Sequence, residues 1–202
     1  MRKTRELIIQ TALRLFAQRG FEGVSVRDIA GELELTAPAL YVHFKSKQEI
    51  LEAILRRMEE RDAEISDKDN VPSLSYEKAP ESYAQMDVSN LMTFTMDIFH
   101  YWTEDTFAVH FRHLLTVEQY RDERFAALFQ QYLGHGVIQY LADIFHANYP
   151  VKDAKQLAIS FYSPFFLLLG QYDAMTTKKA KAAVVLALKK HLQDFMDRLS
   201  LD

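Results

Sequence analysis

Apolar residues recur along this chain at helical spacing and nowhere alternate over the length of a strand, so the expected fold class is all-α. A first amphipathic stretch over residues 3–19 puts Ile8, Ala12, Leu15 and Phe16 on one face, with Gly20 as its stop and Phe21 anchoring the turn. Ser25 with Asp28 reads as a capping box, and Val24 can staple onto Ile29, so a second helix begins at Val26 with Ile29, Ala30 and Leu33 inward. Thr36 caps a third, short helix ending near His43. Pro38 is tolerated in its first turn, where a backbone N–H has no helical partner to lose. Ser46 with Glu49 repeats the box and opens a longer helix carrying Ile50, Leu51, Ile54, Leu55 and Met58 on one side. Starts this close together predict a three-helix bundle whose core is Leu15, Phe16, Phe21, Val24, Ile29, Leu33, Leu40 and Phe44.

Residues 66–86 turn polar, with Pro72 and Pro80 and no apolar period, and read as a loop. Helical patterning resumes at Val88, where Leu91, Thr95, Ile98 and Trp102 form a stripe that Phe94 and Phe99 widen, up to a break near Glu104. Phe107, Phe111, Leu114 and Leu115 mark the next helix. Phe125, Leu128, Phe129, Tyr132 and Leu133 mark another, which Gly134-His135-Gly136 interrupts before Val137, Tyr140, Leu141, Ile144 and Phe145. Asn148-Tyr149-Pro150 ends that series, and two final helices are expected over residues 153–172 and 177–199.

At 202 residues the chain suits a small head on a larger body, and 49% hydrophobic with 26% charged residues excludes wholesale disorder. The absence of cysteine removes disulfide frameworks, thiol nucleophiles and zinc-thiolate sites, and suits a reducing, cytoplasmic setting. No secretory leader is expected from MRKTRELIIQ, which lacks a continuous apolar stretch. The most apolar segment, residues 157–170, is too short to span a bilayer and contains Ser160, Ser163 and Pro164, so no membrane partner is expected. Charge is unevenly spread. Up to Glu49 there are roughly eight Lys and Arg against six Asp and Glu, leaving roughly sixteen against twenty-two in the rest of a chain of net −4.

The ordered series LFAQRGFEGVSV, RDIA and ALYVHFKSKQEIL, within residues 5–55, resembles the tetracycline-repressor (TetR) family of bacterial regulators. The resemblance implies an N-terminal helix-turn-helix DNA-binding domain over residues 1–46 and a helical ligand-binding and dimerisation domain over 47–202. It makes residues 37–43 the recognition helix in the major groove and residues 26–33 the helix crossing the backbone. The chemistry at those positions follows from reach. Arg27 can fork onto guanine O6 and N7 or onto a phosphate, Thr36 and Tyr41 offer hydroxyls to phosphate, and His43 can do either. Lys47 adds an ammonium to the positive end of the fourth helix. Ala37, Pro38 and Ala39 carry no side-chain hydrogen bonders, so thymine-methyl contact and shape readout are expected there. The sequence departs from the family at Glu34, where a glycine is usual between the short helices; an altered turn or a modest affinity is expected, because a non-glycine residue with positive φ is strained.

In the body, aromatics crowd the middle helices, and the candidate lining of an apolar effector pocket is Phe94, Phe99, Trp102, Phe107, His110, Phe111, Phe129 and Tyr132. His110 and His113 stand one turn apart with His100 upstream, but no acid falls in register, so no metal and no other cofactor is expected. Neither a nucleophile elbow nor a phosphate-cradling glycine loop occurs, so the chain reads as a non-enzyme. The last two helices present Phe161, Phe165, Leu168, Val184, Ala187, Leu188, His191 and Phe195 as a candidate dimer interface, two helices from each subunit about a twofold axis. The expected function is a homodimeric repressor of a palindromic operator on double-stranded DNA, released by a small apolar or aromatic effector. The alternative is a helical ligand-binding or protein-interaction module without sequence-specific DNA binding, motivated by Glu34 and the bare Ala37-Pro38-Ala39 tip.

Overall fold

A computed structural model describes residues 2–68 and 89–199. In chain order the helices are α1 (Arg2–Arg19), α2 (Val26–Glu32), α3 (Ala37–Tyr41), α4 (Lys47–Lys68), α5 (Ser89–Glu104), α6 (Thr106–Glu118), α7 (Glu123–Leu133), α8 (His135–Asn148), α9 (Ala154–Ala174) and α10 (Lys178–Leu199). The described residues contain no strand. Breaks fall where the punctuation placed them, at Glu104 and at Gly134. Of the loop expected over residues 66–86, residues 66–68 belong to α4 instead, and the rest lies outside the described residues.

Two compact units share the chain: Met1–Asp62 with Thr106–Phe129, and Ala63–Asp105 with Gln130–Asp202. In the first, α1 buries Ile8, Ala12, Leu13, Leu15 and Phe16, and α6 packs along it with Phe107, Ala108, Phe111, Leu114 and Leu115 inward. The expected bundle core is buried at Phe21, Val24, Ile29, Leu40 and Phe44 as well. Leu33 is the exception. It is the C-cap of α2, where the chain turns away from the core, and stays only half-buried.

In the second unit, α9 packs against α8, α10 and α5. Its core is aromatic: Phe161 meets Phe195 edge-on at 5.0 Å and Phe145 at 5.6 Å, while Phe99 meets Phe165 at 5.4 Å. The Tyr162 hydroxyl donates to the Leu133 carbonyl at 2.9 Å, so this buried phenol is satisfied. Helix starts again follow local chemistry, with the Gln156 N–H donating to the Asp153 carboxylate and the Ala180 N–H to the Thr177 hydroxyl.

Candidate nucleic-acid interface and effector cavity

The short helices of the head are held by caps rather than by length. At α2 the capping box is complete, with the Asp28 N–H donating to Ser25 Oγ at 3.2 Å and the Ser25 N–H to the Asp28 carboxylate at 2.7 Å. These bonds from Ser25 hold the Asp28 carboxyl below its usual range. At α3 the Ala39 N–H donates to Thr36 Oγ1 at 3.3 Å, which leaves the Thr36 hydroxyl proton for another acceptor. At α4 the Glu49 N–H donates to Ser46 Oγ, but the Glu49 carboxylate reaches one residue further back than the box requires, to the Lys45 N–H at 2.7 Å.

The turn between α2 and α3 keeps the backbone shape of a glycine turn. Glu34 has φ 55, the left-handed region, and the Leu35 N–H donates to the Ala30 carbonyl at 2.8 Å while the Glu34 N–H donates to Gly31 at 3.1 Å. That pair of bonds is a Schellman termination, which demands a left-handed residue at this position. The expected alteration of the turn does not occur. Glu34 holds the strained conformation within this termination, and its side chain is exposed.

Helix α3 is held by one buried side chain, Leu40, with Phe44 just beyond it. It ends at Tyr41, earlier than His43, because Val42 and His43 fold into a turn in which the His43 N–H donates to the Leu40 carbonyl. Outward lie Thr36, Pro38 and Tyr41, with Ala37, Ala39 and His43 half-buried and Arg27 exposed on α2. Val42, 73% exposed, joins this surface. It was not among the expected contacts, although two residues on from buried Leu40 a helical residue points away from the core. Lys45 is also exposed beside the tip. Lys47 stands apart from the others: its ammonium donates to the Phe21 carbonyl at 2.8 Å and lies 4.3 Å from the Phe21 ring centre.

The second unit holds an apolar cavity of about 50 Å³ lined by Phe94, Thr95, Ile98 and Trp102 of α5, Tyr132 of α7, Val137, Tyr140 and Leu141 of α8, and Phe161, Tyr162 and Phe165 of α9. Phe94, Trp102 and Tyr132 are thus brought together as expected residues. Phe99 is packed behind them against Phe165 and Tyr172. Phe107, His110 and Phe111 of α6 and Phe129 of α7 belong to the first unit, where α6 packs along α1. Phe161 and Phe165, expected at a dimer interface, line the cavity instead, since α9 turns these rings toward α5 and α8. Among the described residues no charged side chain lines the cavity. The Thr95 hydroxyl donates to the Leu91 carbonyl at 2.6 Å, and burial pushes the Tyr162 phenol far up, so it stays neutral.

Leu168, Val184, Leu188 and Phe195 are likewise buried within one chain, while Ala187 is exposed and the His191 ring contacts the Phe161 carbonyl at 3.0 Å. The outward apolar residues on α9 and α10 are Phe166, Leu167 and Leu186, at 44%, 62% and 67% exposure. His110 is partly buried, and desolvation, with His113 and Arg14 nearby, pulls its imidazole down. Among the described residues no three side chains could hold a metal ion, and no helix is long and apolar enough to cross a membrane.

Residues 8–54 match the model of the family described as bacterial regulatory proteins, tetR family. The tetracycline repressor protein class C of Escherichia coli is 44% identical over 54 residues, covering 27% of this chain and 25% of that protein. The chain spans about a quarter of the length of such curated relatives. Two solved structures share the whole fold. A transcriptional regulator from Aquifex aeolicus superposes with a TM-score of 0.68 at 18% identity, covering 94% of this chain and 98% of that one. The complex of SmeT with triclosan gives 0.59 at 19% identity, covering 95% and 91%.

Proposed function

We propose that this chain, which belongs to the tetR family of bacterial regulatory proteins, is a homodimeric repressor that binds a palindromic operator and lets go when a small apolar or aromatic molecule occupies the second unit. The observation that carries this reading is the tip of α3. A helix capped by Thr36 and anchored by buried Leu40 leaves Pro38, Tyr41 and Val42 outward beside exposed Arg27. Arg27 is the base or phosphate reader of this surface, and Thr36, Tyr41 and His43 hold the backbone, while Ala37, Pro38 and Ala39 meet methyl groups and groove shape. Lys47 has a donor left for phosphate after its bonds to the head, so its share is smaller than that of Arg27.

The effector class follows from the cavity. A lining of rings and hydroxyls without a charged group favours an uncharged apolar or aromatic guest, since an unpaired charge there loses its hydration without compensation. About 50 Å³ is too little for a ring, so the guest must displace side chains, and SmeT, of similar fold, binds the aromatic triclosan. Reciprocity requires that operator DNA weaken the guest by the same factor as the guest weakens DNA. α4 contributes to both units and is the natural lever. Phe166, Leu167 and Leu186, with Gly170 open to close approach, form the face for a second copy. The working compartment is the cytoplasm; the DNA-reading segment is residues 1–46, carried in the unit that also takes in residues 106–129, and ligand binding and dimerisation fall to the second unit.

The test is a salt titration of binding to the DNA flanking the protein's own gene. Affinity should fall steeply with salt, and Arg27→Ala should weaken it by about 1–3 kcal/mol while leaving the unfolding midpoint unchanged. Absence of selective binding to any genomic fragment would overturn the regulator reading.

A further inference from the structure

At the corner between α1 and α2, a single peptide is held from both sides. Gly20 ends α1 with φ 78, its N–H donating to the Phe16 carbonyl at 2.8 Å, and this turns the next N–H out of the helix. That N–H, of Phe21, donates to Glu118 Oε1 at 3.3 Å, across 97 residues of sequence. Glu118 sits at the end of α6 and is 3% exposed, steadied by Arg121 at 3.2 Å. The Phe21 carbonyl accepts from the Lys47 ammonium of α4 at 2.8 Å. Its ring lies against Phe16 of α1 at 5.0 Å and Phe125 of α7 at 5.6 Å. A Cβ on Gly20 would stand 2.5 Å from Glu118 Oε1 and 3.0 Å from an Arg121 guanidinium nitrogen, so the carboxylate would have to move to admit it.

A second tie runs beside the first. Arg124, fixed by Asp122 at 2.6 Å, donates to the Gln48 side chain at 3.1 Å in the first turn of α4. A carboxylate this buried is stable only while its acceptor positions are filled, and the Phe21 N–H fills one of them. From these contacts we propose that Glu118 is a positioning residue for DNA binding. The corner from Glu118 to Phe125 clamps the Phe21 peptide and the start of α4, and so sets the placement of α2 and α3. The DNA-binding unit is therefore discontinuous in sequence, and it is built partly from α6 and α7.

The DNA readout rests on the regulator reading; the clamp itself does not. The experiment uses the full chain and compares Glu118→Ala, Glu118→Asp and Glu118→Gln. Gln keeps an acceptor oxygen at the same reach, whereas Asp keeps the charge and falls one methylene short. The Phe21 amide should exchange with solvent about tenfold or more faster in E118A and E118D, and close to the wild-type rate in E118Q. Affinity for the fragment flanking the gene should drop about tenfold in E118A and E118D and recover in E118Q. If E118A fails to fold, the E118D and E118Q pair decides alone. Folded E118D with unchanged Phe21 exchange, or faster exchange with unchanged DNA affinity, overturns the proposal. A wild-type chain that ignores the fragment defeats the regulator reading instead, and leaves the amide exchange to judge the clamp.

Discussion

The two units bury different kinds of polar group. In the first they include two charged side chains, Arg112 and Glu118; in the second they are hydroxyls, those of Thr95 and Thr103 donating one turn back to the Leu91 and Phe99 carbonyls and that of Tyr162 donating across to the Leu133 carbonyl. A buried charge tolerates few arrangements, because moving its partner leaves it desolvated and alone. A hydroxyl bonded within its own helix places no demand on the neighbouring helices. The first unit thus fixes its charged groups in place, while the second surrounds about 50 Å³ of space with rings and asks less of its polar groups.

The largest effect should come from emptying the aromatic core. Phe161→Ala removes a ring wedged between Phe145 and Phe195 and should cost about 3–5 kcal/mol of stability, read by denaturant unfolding. If it costs less than about 1 kcal/mol, the second unit repacks more freely than its interlocked rings imply.

A smaller effect concerns a charge that the first unit keeps at a disadvantage. Asp62, in α4, has its carboxyl pushed up to about 7 by burial and by Glu59, against 3.8 for the unperturbed group. Below pH 3.8 the group is protonated in folded and unfolded chains alike, so the folded state loses stability as pH rises from there through about 7. Asp62→Asn should therefore stabilise the chain at pH 8 by about 1–2 kcal/mol, less than the full shift implies because the side chain remains partly exposed. The gain should vanish near pH 3.5. Equal gains at both pH values would show that the effect is not titration of this carboxyl.

The smallest is at the turn. Glu34→Gly relieves a left-handed non-glycine residue, offset by the extra freedom glycine has when unfolded, for a net gain of about 0.5–1 kcal/mol. It should also strengthen DNA binding, since an acid leaves the tip. A destabilised variant would mean that the Glu34 side chain contributes more than its backbone costs.

What could be read in advance follows the range of each interaction. The caps at Ser25, Thr36 and Ser46 were legible because a hydroxyl and an N–H three residues on meet whatever surrounds them. The burial of Phe107 and Phe111 was legible too, from helical period, but their neighbours were not: a stripe says that a face is covered and is silent about the cover. Hence these rings, expected around the effector, support α1, and Phe161 and Phe165, expected between subunits, line the cavity. Val42 lay in plain sight, needing only the geometry of a short helix.

By itself, then, the sequence determined the helices and their caps, which depend on groups within a few residues of one another. The tertiary structure alone decided that Glu118 holds Phe21, that α6 and part of α7 belong with the head, and which aromatic rings enclose the cavity. Those contacts join residues tens of positions apart, and their partners are selected by how whole helices pack rather than by any local propensity.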